Sequence, residues 1–265
     1  MGEVFAQKPL AGAQFRNIDM AGATFEGAWL KGATIMHSCL RDVRMTAVDV
    51  GGMTIDGIRV DQLLEAEKDK RDPRRMALRL PPVPTVAEVR KAVATLEGVR
   101  EAFVAKLRSA SAAHLLHKPA GRRWSAIDHL RHMLFAQELY TNRWMLRKKE
   151  PFSASGLLPH FLLNKEGYGE VGAKPAETAD GLEQLLSAWE TIHARTRAFM
   201  EKLTEEVLRM SVKDISFGQP DIGAVFRTLC GHDMHHTALA EEAVADAGGG
   251  TATGSGVIVG SAAMR

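Results

Sequence analysis

From Leu10 to Val60 an apolar residue falls at every fifth position: Leu10, Phe15, Met20, Phe25, Leu30, Ile35, Leu40, Met45, Val50, Ile55 and Val60. Two positions earlier stands a smaller or modest residue, as at Ala13, Ala23, Ala28, Ala33 and Ser38. A period of five matches neither the 3.6 of a helix nor the 2.0 of a strand. It fits a coil with five-residue sides, each turning one large and one small residue inward. Gly12, Gly22, Gly27, Gly32, Gly52 and Gly57 fall at turn-like places between them, where a residue free to adopt positive φ is useful.

The units AGAQF, AGATF, EGAWL and KGATI resemble the pentapeptide repeat. That resemblance implies a short right-handed quadrilateral β-helix of about two to three coils over residues 10–60. Basic residues (Lys8, Arg16, Lys31, Arg41, Arg44, Arg59) and acidic ones (Glu3, Asp19, Glu26, Asp42, Asp49, Asp56) balance there. The segment therefore lacks the acidic surface of a DNA mimic and reads as a platform or oligomerisation element, with a homodimer as one outcome.

Past Val60 the pattern changes. Residues 61–72 form a short charged stretch stopped by Pro73, and Pro81, Pro82 and Pro84 mark a linker. Thr85 and Glu88 make a capping box for a helix to about Ser109, with Val89, Val93, Leu96, Phe103 and Leu107 on one stripe. Ser125, with Asp128 three residues on, opens a second helix that runs through Leu130, Met133, Leu134 and Leu139 to Met145. Residues 150–177 read as a long irregular connection. A third helix starts near Asp180 and a fourth spans about Asp221 to Ala245, ended by Gly248-Gly249-Gly250. The expected fold is mainly α: a four-helix bundle with one long crossover between helices 2 and 3, preceded by the β-helix. The expected divisions are 1–60 (solenoid), 61–84 (charged helix and linker), 85–247 (bundle) and 248–265 (disordered tail).

Composition removes several function classes. Across 265 residues, Lys+Arg 34 against Asp+Glu 32 leaves a formal charge of +2. A dominant basic field for nucleic acid is absent. No apolar run is long enough to span a bilayer, and the first residues lack the charged and apolar regions of a secretory leader. The two cysteines, Cys39 and Cys230, form no framework and fit a reducing, cytoplasmic setting.

The fourth helix carries Gly231-His232-Asp233-Met234-His235-His236. His232 and His236 are four apart, so both imidazoles leave one helix face and can chelate one divalent ion. The second helix carries Asp128-His129-Leu130-Arg131-His132, from which a third ligand would complete a three-histidine site with open positions. Open positions mark a catalytic metal.

Residues 85–246 are similar to the DinB-like superfamily, which includes metal-dependent thiol S-transferases and the mycothiol-dependent maleylpyruvate isomerase. The similarity rests on Trp124-Ser125, His132 eight residues after that tryptophan, Ala136-Gln137-Glu138, and the His-(Asp/Glu)-x-x-His motif from His232 to His236. Leu239 stands where the family has a glutamine. The resemblance implies His132, His232 and His236 as ligands, with zinc the default ion and nickel, iron or manganese acceptable to the same donors. Asp128 and Asp233 are candidates for orienting an imidazole, and His129 and His235 for flanking the site. Arg122, Arg123, Arg131 and Tyr168 are candidates for holding substrate, while Cys230, His114, His117, His160 and His193 read as ordinary. The implied activity joins a low-molecular-weight thiol to an electrophilic small molecule, with no catalytic side chain assigned. Hydrolysis or isomerisation on the same site, or a non-catalytic metal-stabilised assembly module, are the alternatives.

Overall fold

The N-terminal segment repeats its backbone conformation with the period of its apolar residues. In a computed structural model of the chain, φ is positive at Gly12, Asn17, Gly22, Gly27, Gly32, His37, Asp42, Gly52 and Gly57. Where the residue is not glycine it is Asn, His or Asp, the types that tolerate this region best. The structure describes residues 5, 10–25, 27–45, 48–120, 122, 124–159, 162–163, 165–173, 181–212 and 221–248. Local turns recur as well: the Ala13, Ala23 and Ala33 amides donate to the carbonyls of Leu10, Met20 and Leu30 at 2.9–3.0 Å.

The expected β-helix is not formed among the described residues. The apolar positions that should fill its interior are open, with Phe15 59% and Phe25 64% exposed. The only sheet among the described residues is β1 (Thr54–Ile55) paired antiparallel with β2 (Ile58–Arg59). Asp56 and Gly57, both at positive φ, join them, the combination that suits a tight hairpin turn. The difference has a physical reason. A turn every five residues is a local property, whereas a filled solenoid needs bonds and apolar contact from one coil to the next. Among the described residues, the backbone bonds of residues 10–50 stay within single turns.

Two compact units divide the chain at residue 40: residues 1–40, and residues 41–265. In the second, α1 (Val60–Arg71) buries no residue and is laced by ion pairs such as Arg71–Glu67. After it come α2 (Arg74–Ala77), α3 (Val86–Ser109), α4 (Ala112–Leu116) and α5 (Ala126–Gln137). A π-helix (Glu138–Met145) continues α5, followed by α6 (Lys165–Val171), α7 (Leu182–Glu201), α8 (Glu205–Leu208) and α9 (Ile222–Ala247). The capping boxes at Thr85 and Ser125 are both present. Asp221 caps α9 by accepting from the Ala224 amide at 2.8 Å.

The protein is mainly helical. Among the described residues the long helical stretches of the bundle are α3, α5 with the π-helix, α7 and α9, with α9 packed on α3 and α5, and α5 on α7. One apolar cluster joins Val89, Leu96, Trp144, Val225, Phe226 and Leu229; a second joins Phe103, Leu130, Leu134, Leu185, Trp189 and Ile192. The sequence reading is corrected at two places. The second helix does not stay α-helical to Met145. Nor is the 150–177 connection wholly irregular, since α6 forms within it and buries Tyr168 and Val171 beside Phe135 and Leu158. The expected tail beyond Gly248, together with Arg123 and His160, lies outside the described residues.

Candidate metal centre

The start of α5 is fixed by its capping box. Asp128 N–H donates to Ser125 Oγ at 3.2 Å, and Asp128 Oδ2 accepts from Ser125 N–H and Oγ–H at 3.0 and 2.9 Å. The same carboxylate pairs with Lys118 at 3.3 Å. Asp128 is thereby engaged at the helix end, and among the described residues its hydrogen bonds go to Ser125 and not to an imidazole.

His129 and His132 follow within the next turns and face α9. His132 Nε2 lies 3.1 Å from His232 Nε2, and His236 completes the group, with one ring nitrogen of each within 4.8 Å of the others. These three could hold a metal ion. The rings crowd together, at 4.6 Å between His132 and His236 and 4.4 Å between His232 and His236. Trp124 lies over them, 4.7 Å from His132 and 5.8 Å from His236.

Several contacts select which nitrogen carries the lone pair. His132 Nδ1–H donates to the Leu157 carbonyl at 2.8 Å, so its Nε2 carries the lone pair. His236 Nδ1 is 3.0 Å from His129 Nδ1, which leaves His236 Nε2 as the free donor atom. For His232 to offer Nε2 as well, its proton must sit on Nδ1. That Nδ1 is buried with no hydrogen-bond partner among the described residues, 3.6 Å from Asp233 Oδ1. Fixing the tautomer of a ligand imidazole in this manner is the usual accompaniment of a metal site.

Electrostatics favour neutral rings. Burial pushes the His232 pKa down to about 4. Burial, then His132 and His235, lowers His129 to about 3. His236 is lowered too, by burial first and then by His232 and His132. Neutral imidazoles are the metal-binding form. Asp233, 1% exposed, is pushed by burial up to about 7 although the Gln137 amide donates to its Oδ2. Burial raises the Cys230 thiol to about 12, which keeps it protonated as a small core residue.

The other sequence candidates separate. His129 is buried and braces His236, while His235 stands on the exposed side with its ring edge-on to His236 at 5.0 Å. Arg131 Nε–H donates to the Ser155 carbonyl at 3.0 Å, so it helps hold the segment that carries Leu157. Arg122 lies 3.6 Å from Glu242. Tyr168 packs behind Phe135 and Leu158.

A cleft of about 310 Å³ adjoins the histidines, lined by Lys118, Trp124, Asp128, Leu157 and Leu163. Lys118 and the Leu157 carbonyl carry no spacing signal in the sequence, and only the fold brings them here. A larger groove of about 1050 Å³ between α3 and α7, lined by residues such as Arg100, Arg108, Leu186 and Ala194, contains none of these histidines. The smaller cleft reaches the histidines through two of its lining residues, Trp124 and Leu157, which contact His132.

Among the described residues, no helix is long and apolar enough to cross a membrane. No curated protein and no solved structure matches the chain. A family profile for the DinB superfamily matches residues 95–240, more than half of its length. The chain belongs to the DinB superfamily.

Proposed function

From that membership, we propose that the chain is a metal-dependent enzyme acting on a small molecule, with His132, His232 and His236 as the ligands of a divalent ion. The observation that carries this reading is the convergence of three imidazoles, with the far nitrogen of His132 on the Leu157 carbonyl, that of His236 beside His129, and that of His232 buried 3.6 Å from Asp233 Oδ1. The donor set fits zinc best, since three nitrogen ligands leave positions for a substrate atom. When bound, such an ion lowers the pKa of a thiol or water at its open position.

The reaction proposed is transfer of a low-molecular-weight thiol to an electrophilic small molecule. Lys118 and Trp124, on the wall of the adjoining cleft, supply a cation and an aromatic face for a substrate bearing a carboxylate. Trp124 also keeps the imidazoles on the dry side of the cleft, and Arg131 keeps the Leu157 carbonyl against His132. The test is incubation of the zinc-loaded full chain with an alkylating electrophile and a panel of thiols. Thiol-dependent loss of the electrophile supports the proposal. Loss without thiol points to hydrolysis, and no turnover with either points to a binding module.

A further inference from the structure

Beyond the three histidines, the middle of the bundle holds buried polar atoms with no partner. Gln137 Oε1, Trp189 Nε1, His193 Nε2 and Asp233 Oδ1 are all inaccessible and unbonded. Their residues are 0–3% exposed and come from three helices. Unpaired buried groups of this kind are uncommon in native proteins. Four around one place call for a common explanation.

Contacts and charge link the residues that carry these atoms. The Gln137 amide N–H donates to Asp233 Oδ2. Trp189 and His193 meet edge to face at 4.9 Å, and His193, Glu97 and Arg100 all lie within electrostatic reach of Asp233. On the outer side His193 Nδ1 is 3.3 Å from Glu97 Oε1, and Arg100 and Arg197 hold that carboxylate at 2.9 and 3.3 Å. On the inner side Asp233 Oδ1 is 3.6 Å from the unpaired His232 Nδ1.

Donors and acceptors can be counted. Because His193 Nδ1–H faces Glu97, Nε2 is an acceptor. Gln137 spends an N–H on Asp233, so its orphan Oε1 is an acceptor too. Asp233 Oδ1 takes the Nδ1–H of His232 once His232 offers Nε2 outward. What remains is two acceptors, Gln137 Oε1 and His193 Nε2, and one donor, the Trp189 N–H. A molecule with two donors and a free lone pair satisfies all three, and water has that inventory.

We propose that Gln137, Trp189 and His193 enclose a buried water site, and that this water completes a hydrogen-bonded line from Glu97 through His193, Gln137 and Asp233 to the ligand His232. His193 is then a positioning residue for the metal centre, acting on it from the opposite side of the core. The inference rests on the metal reading given above.

Two measurements on the full chain test it. In a crystal structure of the zinc-loaded protein, a water within hydrogen-bond distance of Gln137 Oε1, His193 Nε2 and Trp189 Nε1 is the expected result. Direct bonds among those side chains, with no water between them, would overturn the site. In cobalt titrations, His193→Phe should weaken binding about tenfold and shift the visible cobalt spectrum, since outer partners of metal ligands carry effects of that order. His193→Gln, which restores an acceptor, should recover most of the affinity. Wild-type affinity and spectrum in a helical His193→Phe protein would overturn the positioning role. If His193→Phe does not fold, His193→Gln and the crystallographic water decide. Failure of the wild type itself to take up cobalt or zinc instead removes the metal reading, an outcome distinct from any of these.

Discussion

The period-five segment and the helical region carry equally regular apolar patterns, yet only one of them is covered. Phe15, Phe25 and Ile35 are 59–64% exposed, while Phe103, Leu130 and Phe226 are 0% exposed. Both patterns produce their local backbone: positive φ every fifth residue in one, capped helices in the other. What separates them is the partner surface. The stripes of α3, α5, α7 and α9 cover one another within the bundle, whereas a five-residue side is covered only by a further coil. Periodicity specifies conformation, and burial requires a second surface.

The largest expected effect tests that contrast directly. Phe103→Ala should cost about 3–5 kcal/mol of unfolding free energy in urea, through lost transfer and a residual cavity. Phe15→Ala, on an exposed side chain, should stay within about 0.5 kcal/mol. Equal losses would mean that the repeat segment is covered in solution, and the contrast would fail.

Burial also acts on charge in the helical region, and Glu138 gives the next effect. It is 3% exposed, and burial pushes its carboxyl up to about 7 although its Oε1 accepts from the Ser153 amide at 3.0 Å. With the folded pKa above the unfolded one, its contribution is fully present below the ordinary carboxylate range. It is lost as pH rises through about 7. Glu138→Gln removes that loss, so its stability should gain on wild type between pH 5 and pH 8, by at most about 3 kcal/mol. Parallel stability curves would show that Glu138 is solvated.

A smaller effect concerns a purely local signal. Ser125→Ala removes the hydroxyl's two bonds at the start of α5, leaves the backbone N–H on Asp128, and should lower stability by about 1 kcal/mol. Thermal unfolding of the full chain measures it, and an unchanged midpoint would show that packing alone holds the helix end.

The same division between local and tertiary explains what the sequence discloses. Thr85 with Glu88, Ser125 with Asp128, and His232 with His236 are signals within four residues, and each is legible because helix geometry is fixed. The pairing of His132 with His232 comes from family resemblance and not from spacing. The His129–His236 contact, the Leu157 carbonyl and Lys118 depend on which helix faces meet, and no periodicity encodes that. His193 has no chelating neighbour in sequence and reads as ordinary, although the fold places it between Glu97 and Asp233. The expected β-helix is not seen among the described residues for the converse reason: its period is real in the backbone, but stacking is not a local property. The π-helix leaves no mark in the apolar stripe, and α6 is short enough to pass as loop.

Metal content per chain tests the central claim most directly. After loading with zinc and removal of free ion, the wild type should retain about one equivalent, the stoichiometry of a single site. His132→Ala, His232→Ala and His236→Ala should each lose it while remaining helical. His235→Ala, which alters a ring on the exposed side of α9, should keep it. Full zinc in the His236→Ala protein, or equal loss in His235→Ala, would contradict the three-histidine centre.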